Sequence, residues 1–255
     1  MNVDLHHEEE RPHVAHLRID FGSLNLVTTE RLRDLDAAVR SVPEDVSVLS
    51  IAPEGEGLSA GLDLEWARER TPHEGWELLS TLYRAIQAVR DVDAVTVCGL
   101  GEYAIGAGFE LAMACDFRIA SPEASLGLPE VDVGLPTVIQ GGLLLRLVGL
   151  QRAKELIYLG ETVSGERARE LGLVNEAASG EAYEGAIEGT VDALAEKSPL
   201  VLAWQKRVFR AWRSPGLESG MERSVGMGAQ CFGTHDQREA MSAFLEDRQP
   251  SFERR

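Results

Sequence analysis

Apolar and polar residues alternate from Val14 to Asp20, a period of two that is typical of a β-strand with one buried face. Two mostly apolar runs, at 46–51 and 94–99, predict short strands that are buried on both faces. Between these strands, over 28–42 and 74–90, apolar residues recur every three to four positions, which predicts two amphipathic helices. The hydrophobic pattern therefore predicts alternating strands and helices.

The second half of the chain is predicted to be mainly helical. Glycines open a predicted helix over 106–115, and a strand is expected over 117–120. From 139 onward the apolar period is almost entirely helical. We predict an α/β core over residues 1–195 and a helical region over 196–255. About 60 residues are too few to enclose a core of their own, so these helices are expected to pack on the core or on another subunit.

Acidic side chains outnumber basic ones by 42 to 25, so the formal net charge is −17. Such a surface repels the phosphates of nucleic acids and the head groups of anionic lipids, and neither is expected as a partner. Only three of the 25 basic residues are lysines, and the rest are arginines. An acid-rich, lysine-poor chain is typical of a protein that stays soluble at high salt, although an ordinary acidic enzyme fits the same numbers.

The sequence predicts a cytoplasmic protein without a metal site. Its first ten residues lack the basic and apolar regions of a signal peptide, and no run of about 18 apolar residues is present to span a membrane. The three cysteines are far apart, which predicts reduced thiols, and none has a cysteine or histidine at metal-ligand spacing. Four histidines near the start predict a polar strand edge: His6, His7, His13 and His16.

The first of three glycine motifs, at 57–61, fits the G-x-S-x-G pattern of the serine hydrolase nucleophile elbow. That elbow needs a strand that runs directly into Ser59. Here residues 53–56 separate the strand from the serine, and neither His73 nor His235 follows a clear acidic partner. The spacing therefore disfavours a serine hydrolase.

The second glycine motif, at 99–104, fits the G-x-G-x-x-A pattern of dinucleotide-binding turns. Glu102 would place a carboxylate against the pyrophosphate, and no acidic residue ends a second strand about 20 residues later. The predicted helix also starts only near Gly106. These features disfavour a nucleotide-binding fold.

The third motif combines Gly106, Ala107 and Gly108 with Glu110. Glycines at a helix start let a ligand approach the backbone, and the unpaired N–H groups there suit a developing oxyanion. Ala107 and Glu110 are three residues apart, so on a helix they share one face with Cβ atoms about 5–6 Å apart. A tightly packed helix start, with Glu110 interacting with the helix dipole, explains the same residues equally well.

Six segments together carry a resemblance to a known family. The chain resembles the enoyl-CoA hydratase/isomerase (crotonase) superfamily, in the order and spacing of that family, over nearly its whole length. The segments are 58–64 (LSAGLDL), 99–116 (GLGEYAIGAGFELAMACD), 126–130 (LGLPE), 146–149 (RLVG), 167–175 (RARELGLVN) and 243–252 (AFLEDRQPSF). Each segment is weak alone, but their joint occurrence is specific.

The resemblance implies an α/β crotonase fold, a spiral of repeated β-β-α units with a C-terminal helical trimerisation region. It also implies a homotrimer or a hexamer of two trimers. The implied substrate is an acyl-CoA thioester, with no separate cofactor because coenzyme A is part of the substrate. Family members polarise the thioester carbonyl with two backbone N–H groups, which by resemblance belong to Ala60 and Ala107. One such preorganised donor is worth roughly 3–4 kcal/mol.

Glu110 and Glu130 match the two glutamates of the family's hydratases. Two carboxylates beside a C=C bond can deprotonate water and exchange a proton with the α-carbon. The resemblance therefore predicts an enoyl-CoA hydratase that acts on a trans-2-enoyl-CoA, with Glu110 holding the water and Glu130 serving the α-carbon. Double-bond isomerisation, thioester hydrolysis and non-catalytic binding of CoA thioesters are the alternatives.

By the same resemblance, eight more residues are expected around the substrate: Ser59, Gly61, Leu62, Asp63, Gly106, Gly108, Pro129 and Thr137. Thr137 departs from the glycine-rich segment of many hydratases and is expected near the catalytic water. Residues 66–76 lie where the family has a variable cover over the acyl pocket. The CoA phosphates need cations, and Lys206, Arg210 and Arg213 form a candidate stripe, although a solvated helix face explains it equally well.

Overall fold

The computed structural model describes residues 2–213 and 217–253. Its strands are β1 (Asn2–His7), β2 (Val14–Asp20), β3 (Val48–Pro53), β4 (Val95–Gly99), β5 (Tyr103–Ile105), β6 (Phe117–Ala120), β7 (Ser125–Gly127) and β8 (Glu176–Ala177). Its helices are α1 (Thr29–Arg40), α2 (Leu64–Ala67), α3 (Pro72–Asp91), α4 (Ala107–Ala114), α5 (Gly141–Leu147), α6 (Gly149–Leu159), α7 (Gly165–Glu170), α8 (Glu181–Ala195), α9 (Pro199–Arg213), α10 (Leu217–Ala229) and α11 (His235–Leu245). A 3-10 turn, Glu130–Val133, follows β7.

A six-stranded sheet forms the centre of the molecule, in the order β1-β2-β3-β4-β6-β8. β1 pairs antiparallel with β2, and the other neighbours pair in parallel. Parallel neighbours need long crossover connections, which the intervening helices supply. β2 has the bounds that the alternating pattern predicts, and β3 and β4 confirm the two apolar runs to within two residues.

Helices cover both faces of this sheet. On one face α1 and α3 bury the apolar stripes that the sequence predicts, including Leu32, Leu35, Leu82 and Ile86. On the other face Val191 of α8 packs against valines of the sheet. Each such side chain contributes about 1.5–3 kcal/mol when it leaves water, so the two-sided burial holds the sheet between helical layers.

A small second sheet and α4 lie on the side where the cavity described below is found. β5 and β7 pair in parallel, with three residues each. α4 confirms the helix predicted over 106–115, and every residue from Ala107 to Ala114 is buried. A helix that is buried on all sides has no amphipathic period, so the sequence could not predict which elements it contacts. In the structure it packs against β5 and α3.

Polar contacts, one of them buried, join the C-terminal helices to the core. Lys206 of α9 is 5% exposed, donates to the carbonyl of Ala94 at 2.7 Å and pairs with Asp116 at 2.8 Å. Arg210 donates to the carbonyl of Asp91 at 2.8 Å. The expectation that this stripe meets the CoA phosphates is therefore wrong for Lys206 and Arg210, since their charges are used within the molecule.

The C-terminal helices follow the core without a spacer. α8 ends at Ala195 and α9 begins at Pro199. In that connection, Ser198 donates a hydrogen bond at 2.5 Å to Asp236, a fully buried carboxylate at the start of α11. The predicted division into a core over residues 1–195 and a helical region over 196–255 stays a prediction. α9 hydrogen-bonds directly to the core, so these contacts mark no boundary at residue 195. None of the described helices is both long and apolar enough to cross a membrane.

Candidate active site

A cavity of about 270 Å³ lies between the start of α4, the 3-10 turn and the helices α2 and α3. Its wall is mainly apolar, and it includes both Glu110 and Glu130. Five of the other predicted substrate residues line it as well: Gly61, Leu62, Gly106, Pro129 and Thr137. The fold thus brings residues from three distant stretches of the sequence to one apolar site, which is the usual form of a small-molecule site.

Glu110 is a buried carboxylate that backbone amides hold in place. The residue is 3% exposed, and its Oε1 accepts hydrogen bonds from the N–H of Ile139 at 3.1 Å and of Gln140 at 2.7 Å. Burial raises the pKa of Glu110 to about 7, although the amide of Gln140 opposes the rise, and the charge of Glu130 adds to it. A carboxyl group with a pKa near 7 exchanges protons efficiently at neutral pH.

Glu130 opens the 3-10 turn, and its carboxylate contacts Thr137. The Oγ1 of Thr137 donates a hydrogen bond to Glu130 Oε2 at 2.7 Å. Gly106, with a φ of +53°, leaves room for the other oxygen, since a Cβ atom there would lie 3.0 Å from Glu130 Oε1. The residue that was expected near the catalytic water therefore touches one of the predicted catalytic carboxylates directly.

The structure contradicts one of the two predicted oxyanion donors. The backbone N–H of Ala60 donates to the carbonyl of Leu24 at 2.9 Å, so it has no proton left for a ligand. The N–H of Leu62, by contrast, has no hydrogen bond to any residue in the described part of the chain, and Leu62 lines the cavity. Leu62 therefore replaces Ala60 as the candidate donor.

The other predicted donor, Ala107, is the first residue of α4, where N–H groups have no acceptor within the helix. Gly61 brings the two donors together. It has a φ of +91°, and a Cβ atom there would lie 2.9 Å from Ile105 O and 3.8 Å from Ala107 N, so only glycine permits the approach. The N–H groups of Leu62 and Ala107 thus flank the same part of the cavity and suit a developing oxyanion.

Three predicted substrate residues lie behind the cavity wall instead of lining it: Ser59, Asp63 and Gly108. The Oγ of Ser59 donates to Asn25 O at 2.7 Å and accepts from Gly61 N at 3.0 Å. A Cβ atom at Gly108 would lie 2.5 Å from Ser59 O. Asp63 accepts from Trp66 N at 3.0 Å and so caps α2. These residues shape the turn. Because the hydroxyl of Ser59 is hydrogen-bonded within the protein and lies behind the cavity wall, the serine hydrolase interpretation is rejected.

The turn at 99–104 is filled by the protein itself. A Cβ atom at Gly101 would lie 2.1 Å from Glu56 O, and Glu102 N donates to the same oxygen at 2.7 Å. The carboxylate of Glu102 accepts from Ser121 Oγ at 2.9 Å. A pyrophosphate has no access to this backbone, so the nucleotide-binding alternative is rejected. Within residues 2–213 and 217–253, no group of three or more potential metal ligands is present.

Asn25 is a residue of the site that the sequence analysis missed. It is almost fully buried, has a φ of +47°, and its side chain accepts from Phe21 N at 2.6 Å and donates to Gly57 O at 3.2 Å. Asparagine is one of the few residues besides glycine that adopts this conformation readily. The side chain joins the 57–61 turn to the segment that follows β2. The one signal of this role in the sequence is an asparagine, a turn-forming residue, shortly after a predicted strand.

The fold and the site define a class of protein: an α/β protein with an apolar cavity that holds two carboxylates beside two backbone N–H groups. A sequence profile described as "Enoyl-CoA hydratase/isomerase" matches residues 9–255. The chain belongs to that family. The resemblance carried by six short segments is therefore confirmed.

Relatives and solved structures match almost the whole chain. The "Probable enoyl-CoA hydratase" of Bacillus subtilis is 33% identical over 245 residues, which covers 94% of this chain and 95% of the relative. The "Crotonyl-CoA hydratase" of Syntrophomonas wolfei is 29% identical and covers 90% of each chain. A crystal structure of enoyl-CoA hydratase from Bacillus anthracis superposes with a TM-score of 0.93 at 26% identity, over 100% of both chains. The predicted α/β crotonase fold is confirmed.

Proposed function

We propose that this protein is an enoyl-CoA hydratase that adds water to a trans-2-enoyl-CoA. The observation that carries the proposal is one apolar cavity that holds two carboxylates, Glu110 and Glu130, beside the N–H groups of Leu62 and Ala107. The raised pKa of Glu110, about 7, suits proton transfer at neutral pH. The names of the relatives from Bacillus subtilis and Syntrophomonas wolfei support the same activity.

In this proposal the thioester carbonyl lies between the N–H groups of Leu62 and Ala107. When the water oxygen bonds to C3, negative charge moves through C2 to the carbonyl oxygen. Two preorganised donors in an apolar cavity stabilise that enolate, at roughly 3–4 kcal/mol for one good donor. The start of α4 adds the positive end of its helix dipole.

The two carboxylates handle the protons. Glu110, in its ionised form, takes a proton from the water as the C3–O bond forms, and the carboxyl group of Glu130 gives a proton to C2. The proton on Glu110 then returns to Glu130 through water, so both carboxyl groups regain their starting state and one H2O has added across the double bond. The product is a 3-hydroxyacyl-CoA. The backbone of 139–140 holds the first carboxylate and Thr137 the second, so both are oriented before the substrate binds. The thioester itself supplies the activation, and the proposal includes no cofactor.

The direct test is the ultraviolet absorbance of the enoyl thioester, which disappears when crotonyl-CoA is hydrated. We expect rapid loss with the wild-type protein and little with Glu110→Gln. No absorbance change with the wild type would contradict the hydratase proposal. Isomerase activity on a 3-enoyl-CoA, or heat stabilisation by acyl-CoA without turnover, would then identify the isomerase or the binding-protein alternative.

The proposal places a polyanionic substrate on a protein of net charge −17. Salt shortens the range of that charge to about 8 Å at physiological ionic strength and 3 Å at 1 M. We propose that the protein works in the cytoplasm, in fatty acyl-CoA metabolism, at high salt. KM for crotonyl-CoA is then expected to fall, and the free energy of unfolding to rise, between 0.1 and 2 M KCl. Loss of stability at 2 M KCl would contradict the halophilic part.

We also propose a homo-oligomer, a trimer or a hexamer of two trimers as in the family. Its support is a set of large apolar side chains near the C-terminus that are at least 72% exposed: Val225, Phe232, Phe244 and Leu245. A second copy would cover them. Light scattering coupled to size exclusion is expected to give three or six chains for the wild type and fewer for Phe244→Glu. A wild-type monomer would contradict this part of the proposal.

A further inference from the structure

The apolar wall of the catalytic cavity continues beyond it. A second groove, of about 730 Å³ and open to solvent, lies along α2 and the first half of α3. Six residues line both spaces: Leu62, Leu64, Leu78, Leu79, Val133 and Leu135. All six side chains are aliphatic, so a hydrocarbon chain that crosses this wall displaces water without leaving a polar side chain of the shared wall unpaired.

The groove exposes apolar surface that a ligand would cover. Four of the shared residues are at least 41% exposed: Leu64, Leu79, Val133 and Leu135. Exposed aliphatic side chains gathered in a concave surface mark a site for an apolar partner. At the rim, Arg70 pairs with Glu74 at 2.9 Å and stacks on Trp66. Arg68, the other cation that lines the groove, pairs with Glu69 at 3.9 Å. Because both cations already have a carboxylate partner, the groove favours a hydrocarbon chain over one that ends in a carboxylate.

Gly75 keeps the groove open. It is the fourth residue of α3, it lines the groove, and a Cβ atom there would meet no other atom within 4 Å. Glycine weakens a helix relative to alanine. No close contact in the structure requires a glycine at position 75. A larger side chain there would enter the groove, so a groove kept free for a ligand accounts for the glycine.

From this wall we propose that the acyl group of the substrate is a long, unbranched hydrocarbon chain whose far end lies in the groove between α2 and α3. The residues of α3 that line the two spaces run from Pro72 to Leu82, so the wall is ~15 Å long and fits an extended chain of about eight carbons or more. A four-carbon crotonyl group covers only the part next to the glutamates. This inference rests on the proposed function, since it names the substrate class of the same site.

The first test compares kcat/KM for trans-2-enoyl-CoA substrates with four, eight and twelve carbons. Each CH2 group that leaves water adds about fourfold. Four more CH2 groups would give roughly 250-fold if all left water completely. Because the groove is open to solvent and buries them only in part, we expect the eight-carbon substrate to exceed the four-carbon substrate by about tenfold or more. The same wild-type enzyme serves all three substrates, so this result does not depend on the folding of a variant.

The second test fills the groove. Gly75→Leu places a side chain where the acyl chain would lie, and we expect the ratio of kcat/KM for twelve over four carbons to fall by about tenfold. Gly185→Leu is the matched control. A Cβ atom at Gly185 of α8 also meets no atom within 4 Å, and Gly185 does not line the cavity or the groove. This variant is expected to keep the wild-type ratio.

The outcomes separate this inference from the function on which it rests. Preference for the four-carbon substrate, or a wild-type chain-length ratio in Gly75→Leu, would overturn the long-chain inference and leave the hydratase proposal standing. Failure to hydrate a substrate of any length would overturn the proposed function itself. A chain-length preference that Gly75→Leu removes and Gly185→Leu keeps would support the inference.

Discussion

The two sides of the cavity are built in different ways. On the α4 side, Glu110 lies in a fully buried helix, and backbone amides at 139 and 140 hold its carboxylate. On the opposite side, Glu130 begins a short 3-10 turn, and the side chain of Thr137 supplies its hydrogen bond. The position of the first carboxylate is therefore a property of the backbone, whereas that of the second depends on a side chain that one mutation removes.

The same contrast extends to the walls. The oxyanion site consists of backbone N–H groups at buried turns, where Gly61 permits an approach that a side chain would block. The acyl wall consists of half-exposed aliphatic side chains such as Leu64 and Leu135. Buried backbone tolerates little change, and exposed side chains tolerate much. We infer that the backbone N–H groups and the two carboxylates determine the reaction, and that the exposed aliphatic wall determines which acyl chain reacts.

The largest expected effect is the loss of either carboxylate. Glu110→Gln and Glu130→Gln are each expected to lower kcat by about a thousandfold, within the range of general acid–base catalysis, and to change KM little. Steady-state hydration assays with enoyl-CoA check this. Near-wild-type turnover in either variant would remove that carboxylate from the chemistry.

The second prediction concerns stability: Glu110→Gln, which is expected to lower activity, is expected to make the protein more stable. The pKa of Glu110 rises from 4.5 to about 7 on folding, so between these values the native state binds more protons than the unfolded state, and stability falls as pH rises. Glu110→Gln removes this penalty and keeps an oxygen acceptor for the two amides. Denaturant titrations are expected to show the variant more stable than the wild type by about 3 kcal/mol at pH 8 and little different at pH 4.5. A less stable variant at pH 8 would contradict the buried charge.

Much of this fold and part of this site were predictable from the sequence. The period of two gives β2 with its observed bounds, because a half-buried strand leaves a direct record in the sequence. The carboxylates at 110 and 130 follow from local motifs that the family resemblance recognises. Both carboxylates line the cavity. Their positions were predictable because each belongs to a short local motif.

The errors arise where a role depends on distant partners. Ala60 and Leu62 are two residues apart in one turn, and a bond from Ala60 to Leu24 decides which N–H stays available. The stripe at Lys206 and Arg210 is correct as a helix face, but helical spacing does not reveal that the carbonyl groups of Ala94 and Asp91 lie opposite it. Such choices follow from tertiary contacts, which a single sequence does not display.

A third prediction tests the backbone of the oxyanion site. Gly61→Ala introduces a Cβ atom 2.9 Å from Ile105 O and displaces the donors, and we expect kcat/KM to fall by about a hundredfold. Gly172→Ala is the matched control, with a φ of +74° and no atom within 4 Å of its Cβ position. It carries the same backbone strain, about 1–3 kcal/mol of stability, without the contact, so its kinetics should stay at wild-type values. Equal kinetics in the two variants would contradict the role of Gly61.

The smallest expected effect tests the side chain that holds Glu130. Thr137→Val keeps the shape of the side chain but removes its hydrogen bond to Glu130, and kcat is expected to fall by about tenfold with KM nearly unchanged. Thr137→Ser retains the hydroxyl and should recover most of the rate. Recovery with serine would separate the hydrogen bond from packing, whereas a wild-type rate in Thr137→Val would show that Glu130 needs no such partner.

The measurement that tests the central claim most directly is kcat/KM for enoyl-CoA hydration between pH 5 and pH 9. If Glu110 accepts the proton of water, it must be ionised, and its pKa of about 7 sets where that happens. We predict a rate that rises about tenfold per pH unit from pH 5 and levels off near pH 7. A rate that is already constant at pH 5, as an ordinary carboxylate of pKa 4.5 would give, would contradict the account.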